Sequence, residues 1–171
     1  MKRALLWHRM GGLSVALDSE RAGLKSAAAH LCLGVLLACT AILVLACQKA
    51  PPKPLDIGTG DVCTRCRGVI AEKQFAAEFI TKDGFVRKFD DISCMIEHAK
   101  NKVKMENIAA YFTMDYATQQ WLKAEEAFYV KSDKFKTPKD SGILTFKDQS
   151  KAQALASQYG AQLVTFNDLL K

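Results

Sequence analysis

The sequence predicts an α+β fold: two small related strand-strand-helix-strand lobes that follow an N-terminal signal and a tether. Three observations carry this. Alternating apolar patterns and helical i, i+3, i+4 patterns succeed one another in the same order twice after residue 61. The two halves echo each other, since "KFDDISCMIEHA" (88–99) lies against "TFKDQSKAQALA" (145–156). In that alignment Phe89 meets Phe146 and Asp91 meets Asp148, while Cys94 and Met95 face Lys151 and Ala152. Turn and cap residues, finally, separate the patterns at the expected places.

The N-terminal part is read first, because targeting segments must be set aside before a fold is argued. Residues 26–46, SAAAHLCLGVLLACTAILVLA, are uncharged and almost wholly apolar. A run of this length is a secretory h-region or a membrane span. It ends in "VLAC" (44–47), which resembles a bacterial lipoprotein signal in which Cys47 is lipidated and becomes the first residue. The expected organisation is a signal segment at 1–46, then lipidated Cys47 and a flexible tether to 60, then one domain at 61–171. Within that domain lobe one covers about 61–116 and lobe two about 127–171. The Pro-rich start of the tether, "QKAPPKP", favours an extended chain. Cleaved lipoprotein or uncleaved anchor, the domain is expected outside the cytoplasmic membrane, on the periplasmic face of the inner or outer membrane.

The domain's elements follow in order. "DVCTRCRGVI" (61–70) leads into an apolar strand, "AEKQFAAEFI" (71–80). Asp83-Gly84 supplies a tight turn, because glycine accepts left-handed dihedrals. "FVRKF" (85–89) alternates as a half-buried strand does. Asp90 and Asp91 are expected to hold the start of a helix at 92–101, their carboxylates accepting the free N–H groups of the first turn. Ile92, Met95, Ile96 and Ala99 share one face of it. "ENIAAYFTMDY" (106–116) reads as a third strand and "ATQQWLKAEEA" (117–127) as a short helix or helical turn. The second round is a strand at 128–132, a loop at 135–141, a strand at 142–148 and an Ala-rich helix ended by Gly160. A strand at 161–166 and a turn at 167–171 complete it.

The full chain carries a formal net charge of +6, but its lysines are scattered. No basic patch interleaved with aromatics and no finger or helix-turn-helix pattern is present, so nucleic acid is not an expected partner. An enzyme of the cysteine-histidine kind would have to use His98, the one histidine after residue 47, four places beyond Cys94. No oxyanion-hole signature accompanies the pair, and the protein is read as not an enzyme.

Of the six cysteines, Cys32, Cys39 and Cys47 fall in or at the end of the signal. Cys63 and Cys66 form a CxxC whose sulfurs can meet one metal ion or each other. Cys94 and Met95 lie some 28 positions on, and the intervening hairpin can bring them back to the CxxC. Two or three thiolates with a thioether make a soft site, which selects Cu(I) over hard cations. Cys63, Cys66, Cys94 and Met95 are therefore the candidate metal ligands. In this reading Asp90 and Asp91 build the platform, and the positive end of the helix eases deprotonation of Cys94. Two other classes stay open: a thiol-disulfide redox protein using the CxxC, and a structural lipoprotein that binds no metal.

The segments "CTRC", "AAEFITKDGFVRKFDDISCM", "AYFTMDYATQQWLKAEEAFYV", "TPKDSGILTFKD" and "GAQLVTFNDLL" together resemble the NosL family. Those proteins are lipoproteins accessory to nitrous oxide reductase that act as Cu(I) chaperones. The resemblance implies a fold of two related lobes and copper as cargo. It also implies nitrous oxide reductase and its copper-assembly ABC-type membrane machinery as partners, with a lipid anchor to the membrane. Two departures stand out. The family commonly carries C-x-M after the second cysteine, where this chain has Gly68. It commonly carries "TPM", where this chain has Lys139.

Overall fold

A computed structural model describes residues 50–171. The signal segment at 1–46 and the lipidation candidate Cys47 lie outside the described residues. Lobe one contains a four-stranded antiparallel sheet. Its strands are β1 (Ala77–Thr81), β2 (Val86–Phe89), β3 (Ile108–Met114) and β4 (Trp121–Lys123), in the order β2-β1-β3-β4. Helix α1 (Ile92–Lys102) follows β2. Lobe two contains β5 (Phe128–Lys131), β6 (Ile143–Phe146) and β7 (Gln162–Val164) in the order β6-β5-β7, with α2 (Gln149–Tyr159) and a terminal α3 (Phe166–Leu170).

Both lobes place their first strand between the second and the third, and the internal echo is in register. Phe89 pairs with Ala77 at the start of β1, and Phe146 pairs with Phe128 at the start of β5. Two residues on, Asp91 and Asp148 each cap a helix by accepting a backbone N–H, from Ser93 and Ser150 respectively. An aspartate at this position satisfies a donor that the first helical turn leaves free. Gly160 closes α2 at φ 62°, a left-handed value that costs glycine nothing.

Burial explains the register. Ile92, Met95, Ile96 and Ala99 of α1 are buried on the face that the spacing predicts. They join Phe79 and Phe89, whose rings lie 5.4 Å apart, in the main core. Fully burying side chains of this size stabilises by about 1.5–3 kcal/mol each. Strand β5 serves two layers: Tyr129 points into the main core, and Val130 packs with Leu144, Phe146, Ala152 and Ala156. The lobes also meet through polar groups. Tyr116 N–H donates to Thr145 carbonyl at 2.8 Å, and the Thr113 and Thr145 hydroxyls are 3.2 Å apart.

Three expectations are corrected. The segment at 117–127, expected as a short helix or helical turn, is helical only in a 3-10 turn (Ala124–Glu126): Trp121–Lys123 hydrogen-bond to Phe112–Met114 as an edge strand. Its helix-forming residues lose to sheet pairing, since propensity is a weak prior against tertiary contacts. The last turn is a short helix, held by a reciprocal cap between Thr165 and Asp168. The tether, read as free to residue 60, is docked well before that. Leu55 N–H donates to Glu78 at 3.0 Å, Lys88 Nζ donates to Asp56 carbonyl at 2.6 Å, and Ile57 is buried. Glu78 is a buried carboxylate in the central strand, and the docked segment supplies its hydrogen bond. Among the described residues no helix is long and apolar enough to cross a membrane.

Candidate metal centre

The CxxC lies in a tight loop. Val62 and Val69 form a bridge at its base, Cys63 N–H donates to Gly68 carbonyl at 2.8 Å, and Arg67 N–H donates to Cys63 carbonyl at 3.0 Å. Arg67 adopts φ 66° to close it, a left-handed conformation uncommon for a residue with a side chain. Thr64 N–H donates to Lys88 carbonyl at 2.8 Å, which fastens the loop to the end of β2. Asp90 follows that strand directly, and Cys94 sits in the first turn of α1.

These pieces converge. The sulfurs of Cys63, Cys66 and Cys94 and a carboxylate oxygen of Asp90 all lie within 4.8 Å of one another. The three cysteines are free thiols; Cys63 and Cys94 are fully buried and Cys66 is half-buried at the rim. Cys66 donates to Asp90 Oδ2 at 3.2 Å. Lys139 Nζ stands 3.5 Å from the same oxygen, and Arg65 Nη1 lies 3.7 Å from Cys94 Sγ while also pairing with Glu97. Asp90 Oδ1 is buried with no hydrogen-bond partner.

Proton affinities follow from these contacts. Cys63 is lowered to about 6, chiefly by the neighbouring Cys94 thiol, against burial. Cys94 is raised by the same neighbour, by burial and by the charge on Cys63, with Arg65 opposing. The pair thus gives up one proton readily and holds the second. Burial raises Cys66. Burial also pushes Asp90 upward, but the neighbouring thiols, Cys66 donating directly at 3.2 Å, and the charge on Lys139 outweigh it, and the carboxyl is held low. The Lys139 ammonium is favoured by Cys66 and Asp90. The resting site is an anionic sulfur-carboxylate cluster flanked by two cations. A metal ion entering it displaces the remaining thiol protons.

Three of the four predicted ligands, Cys63, Cys66 and Cys94, are brought together from segments nearly thirty residues apart. Met95 is fully buried in the main core. Asp91 caps α1 as expected, and its Oδ2 also accepts from Ser141 Oγ at 3.1 Å and Lys139 N–H at 3.3 Å, tying lobe two to the helix start. Asp90 does not cap. Only the residue at the cap position can reach the first-turn donors, and Asp90, one place earlier, faces the thiols instead. The easing of deprotonation assigned to Cys94 falls on Cys63, while the neighbouring Cys63 and burial raise Cys94. Sequence reading missed Arg65 and Lys139 as neighbours of the sulfurs. Lys139 had a signal, as one of the two departures from the family pattern. The other, Gly68, also borders the cluster: a Cβ there would lie 3.6 Å from Cys66 Sγ and 3.8 Å from Asp90 Oδ2. Side chains at both positions would therefore reach the site.

His98 is not among the clustered donors; its ring lies 5.5 Å from that of Phe89. Burial and the charges of Arg87, Lys102 and Arg65 lower its pKa. With Arg65, Arg67, Arg87 and Lys102 it lines an open, basic cleft of about 870 Å³ beside the metal centre.

Comparison with known proteins agrees with the geometry. The family model described as NosL matches residues 54–171. Comparison with curated proteins finds no match. Among solved structures, the crystal structure of the copper chaperone NosL from Shewanella denitrificans superposes with a TM-score of 0.60. The alignment has 18% identity and covers 68% of this chain and 96% of that one, a likeness that establishes the fold. With the family model matched from the docked Leu55 segment through the last residue, the chain belongs to the NosL family.

Proposed function

We propose that the protein is a metal-transfer protein, a Cu(I) chaperone rather than an enzyme, tethered to the membrane outside the cytoplasm. The observation that carries this reading is the convergence of three free thiols within 4.8 Å. Three thiolates hold a soft monovalent ion in low coordination. Cys63 and Cys94 form the buried floor, and half-buried Cys66 forms the rim. A partner's ligand attacks the ion from the rim side, Cys66 leaves first, and the two buried sulfurs follow. The similarity to the copper chaperone NosL from Shewanella denitrificans supports copper as cargo.

The partners, by family inference, are nitrous oxide reductase and its copper-assembly ABC-type membrane machinery. The basic cleft beside Arg65 offers acidic partner surfaces a place to dock near the sulfurs. The membrane attachment rests on the sequence around Cys47.

X-ray absorption at the copper edge, after anaerobic loading with one equivalent, tests the cargo. The expected spectrum is that of Cu(I) with two or three sulfur neighbours. Copper with a shell of oxygen and nitrogen only would overturn the reading. A dithiol redox role draws some support from the lowered Cys63 thiol. Burial of Cys63 leaves Cys66 as the sulfur open to attack, and a redox titration in which Cys66→Ser abolishes a reversible disulfide would favour that role.

A further inference from the structure

The lobe-one sheet buries one acid on its second face. Glu78 of β1 stands between Lys88 of β2 and Phe112 of β3, and Lys123 of β4 follows Phe112 in the same cross-strand row. Successive strand residues point to opposite faces, so this row lies on the face away from Phe79, whose ring neighbours that of His98 on α1. Residues 54–57 cross the row strand by strand. Pro54 lines a cleft with Phe112 and Lys123, and Leu55 N–H donates to both Glu78 carboxylate oxygens, at 3.0 and 3.3 Å. Lys88 Nζ donates to Asp56 carbonyl at 2.6 Å, and buried Ile57 pins the far end. Glu78 beneath is 0% exposed. We propose that residues 54–57 form a pH-sensitive strap, latched across the sheet while Glu78 is neutral and loosened when Glu78 is charged.

The neighbours of Glu78 set this direction. The segment above brings it one backbone N–H and β3 brings the Phe112 ring. The charged groups that face it are Lys88 from β2 and Asp61 from the lead-in to the CxxC. Lys88 is committed elsewhere, to the Asp56 carbonyl and to Asp61 Oδ2 at 2.7 Å. A carboxylate taken out of water with so little compensation is costly, and its neutral form is much less so. Burial accordingly pushes Glu78 up to about 7 from an ordinary 4.5, with Leu55 and Lys88 opposing. Lifting the strap returns the group to water and to its ordinary range. Docking is thus strongest below about pH 4.5, weakens as pH rises and levels off above about 7, a change of about 300-fold in all.

Release has two local effects. It parts Lys88 from Asp56, and Lys88 also joins the strap to the CxxC loop, since its ammonium holds Asp61 and its carbonyl accepts from Thr64 N–H. It also adds residues 54–60 to the chain that precedes the domain, at most about 25 Å of further reach. The strap therefore links ambient pH to the footing of the CxxC loop and to the length of the tether. This inference rests on Glu78 and the segment above it, and depends neither on the cargo nor on lipidation.

Hydrogen–deuterium exchange of the reduced full-length chain in detergent, followed residue by residue by NMR, tests it. Rates are corrected for the direct effect of pH on amide exchange. Raising the pH from about 5.5 to about 8 should lower protection of the Leu55 amide about tenfold or more. At the higher pH the Leu55 amide should exchange about tenfold or more faster than the β1 amides, because the strap opens while the sheet stays formed. Both readings come from the unaltered sequence and need no variant to fold. Glu78→Gln, which keeps an acceptor for Leu55 N–H, should hold Leu55 protection at the same level at both pH values. The proposal is overturned by Leu55 protection that does not change with pH, by Leu55 and β1 amides exchanging at one common rate, or by a pH-dependent loss that persists in Glu78→Gln.

Discussion

Replacing Asp91 by alanine removes four hydrogen bonds at once: Oδ1 accepts from Ser93 N–H and Ser93 Oγ, and Oδ2 accepts from Lys139 N–H and Ser141 Oγ. The first pair is a helix cap, worth about 1 kcal/mol. The second pair crosses to lobe two and ends on a carboxylate that is 1% exposed. Hydrogen bonds to a buried charge are worth about 1.5–3 kcal/mol each, and the 3.3 Å bond from Lys139 belongs at the low end. The expected loss for Asp91→Ala is about 4 kcal/mol. The internal repeat supplies the control. Asp148 makes the same cap, to Ser150 N–H and Oγ, but is exposed and reaches nothing in the other lobe. Asp148→Ala should therefore cost less than half as much. Urea unfolding of both variants reads the difference directly. Equal losses would refute the reasoning, since they would mean that the contacts to Lys139 and Ser141 contribute nothing.

Two further outcomes concern charge and donor type. Glu78 is pushed up to about 7, from an ordinary 4.5, mainly by burial. The folded protein thus keeps a proton that the unfolded chain has already lost, so stability is greatest below about pH 4.5, falls as pH rises and levels off above about 7. The fall amounts to roughly 3 kcal/mol. Glu78→Gln keeps an acceptor for Leu55 N–H and should flatten that profile in denaturant titrations across the range; an unchanged slope would count against the buried carboxyl. Gly68→Met combined with Lys139→Met places two thioethers beside Cys66, one at a position where a Cβ makes ordinary van der Waals contact with the cluster and one in place of an ammonium. Cu(I) affinity should rise about tenfold by chelator competition; weaker binding would show instead that the Lys139 charge serves the anionic cluster.

The lobes were legible because their elements are local. Ile92, Met95, Ile96 and Ala99 mark a helix face by spacing alone, and Gly84 and Gly160 mark turns by their dihedral freedom. The repeat could be seen because Phe89 and Phe146, and Asp91 and Asp148, hold equivalent structural places. The three cysteines could be grouped because the β1–β2 hairpin between them folds the chain back toward the CxxC. What sequence could not carry was direction. Asp90 and Asp91 are chemically identical neighbours, and one position along the chain decides which faces the helix and which faces the sulfurs. Lys139 reaches the cluster from lobe two, 49 residues beyond Asp90, and no local pattern encodes such an approach. Trp121–Lys123 became a strand because β3 offered a free edge, a fact about the neighbour and not about those residues. The docking of the 55–57 segment likewise depends on Glu78 and Lys88 in the sheet.

The central claim is that Cys63, Cys66 and Cys94 hold one Cu(I) between them. Anaerobic competition against a chromophoric Cu(I) chelator tests it most directly, on the reduced chain with Cys32, Cys39 and Cys47 replaced by serine, alone and with Cys66→Ser. The expected result is one equivalent bound and a loss of at least tenfold, about 1.4 kcal/mol, on removing the rim sulfur. Binding no tighter than that of the Cys66→Ser variant would contradict it.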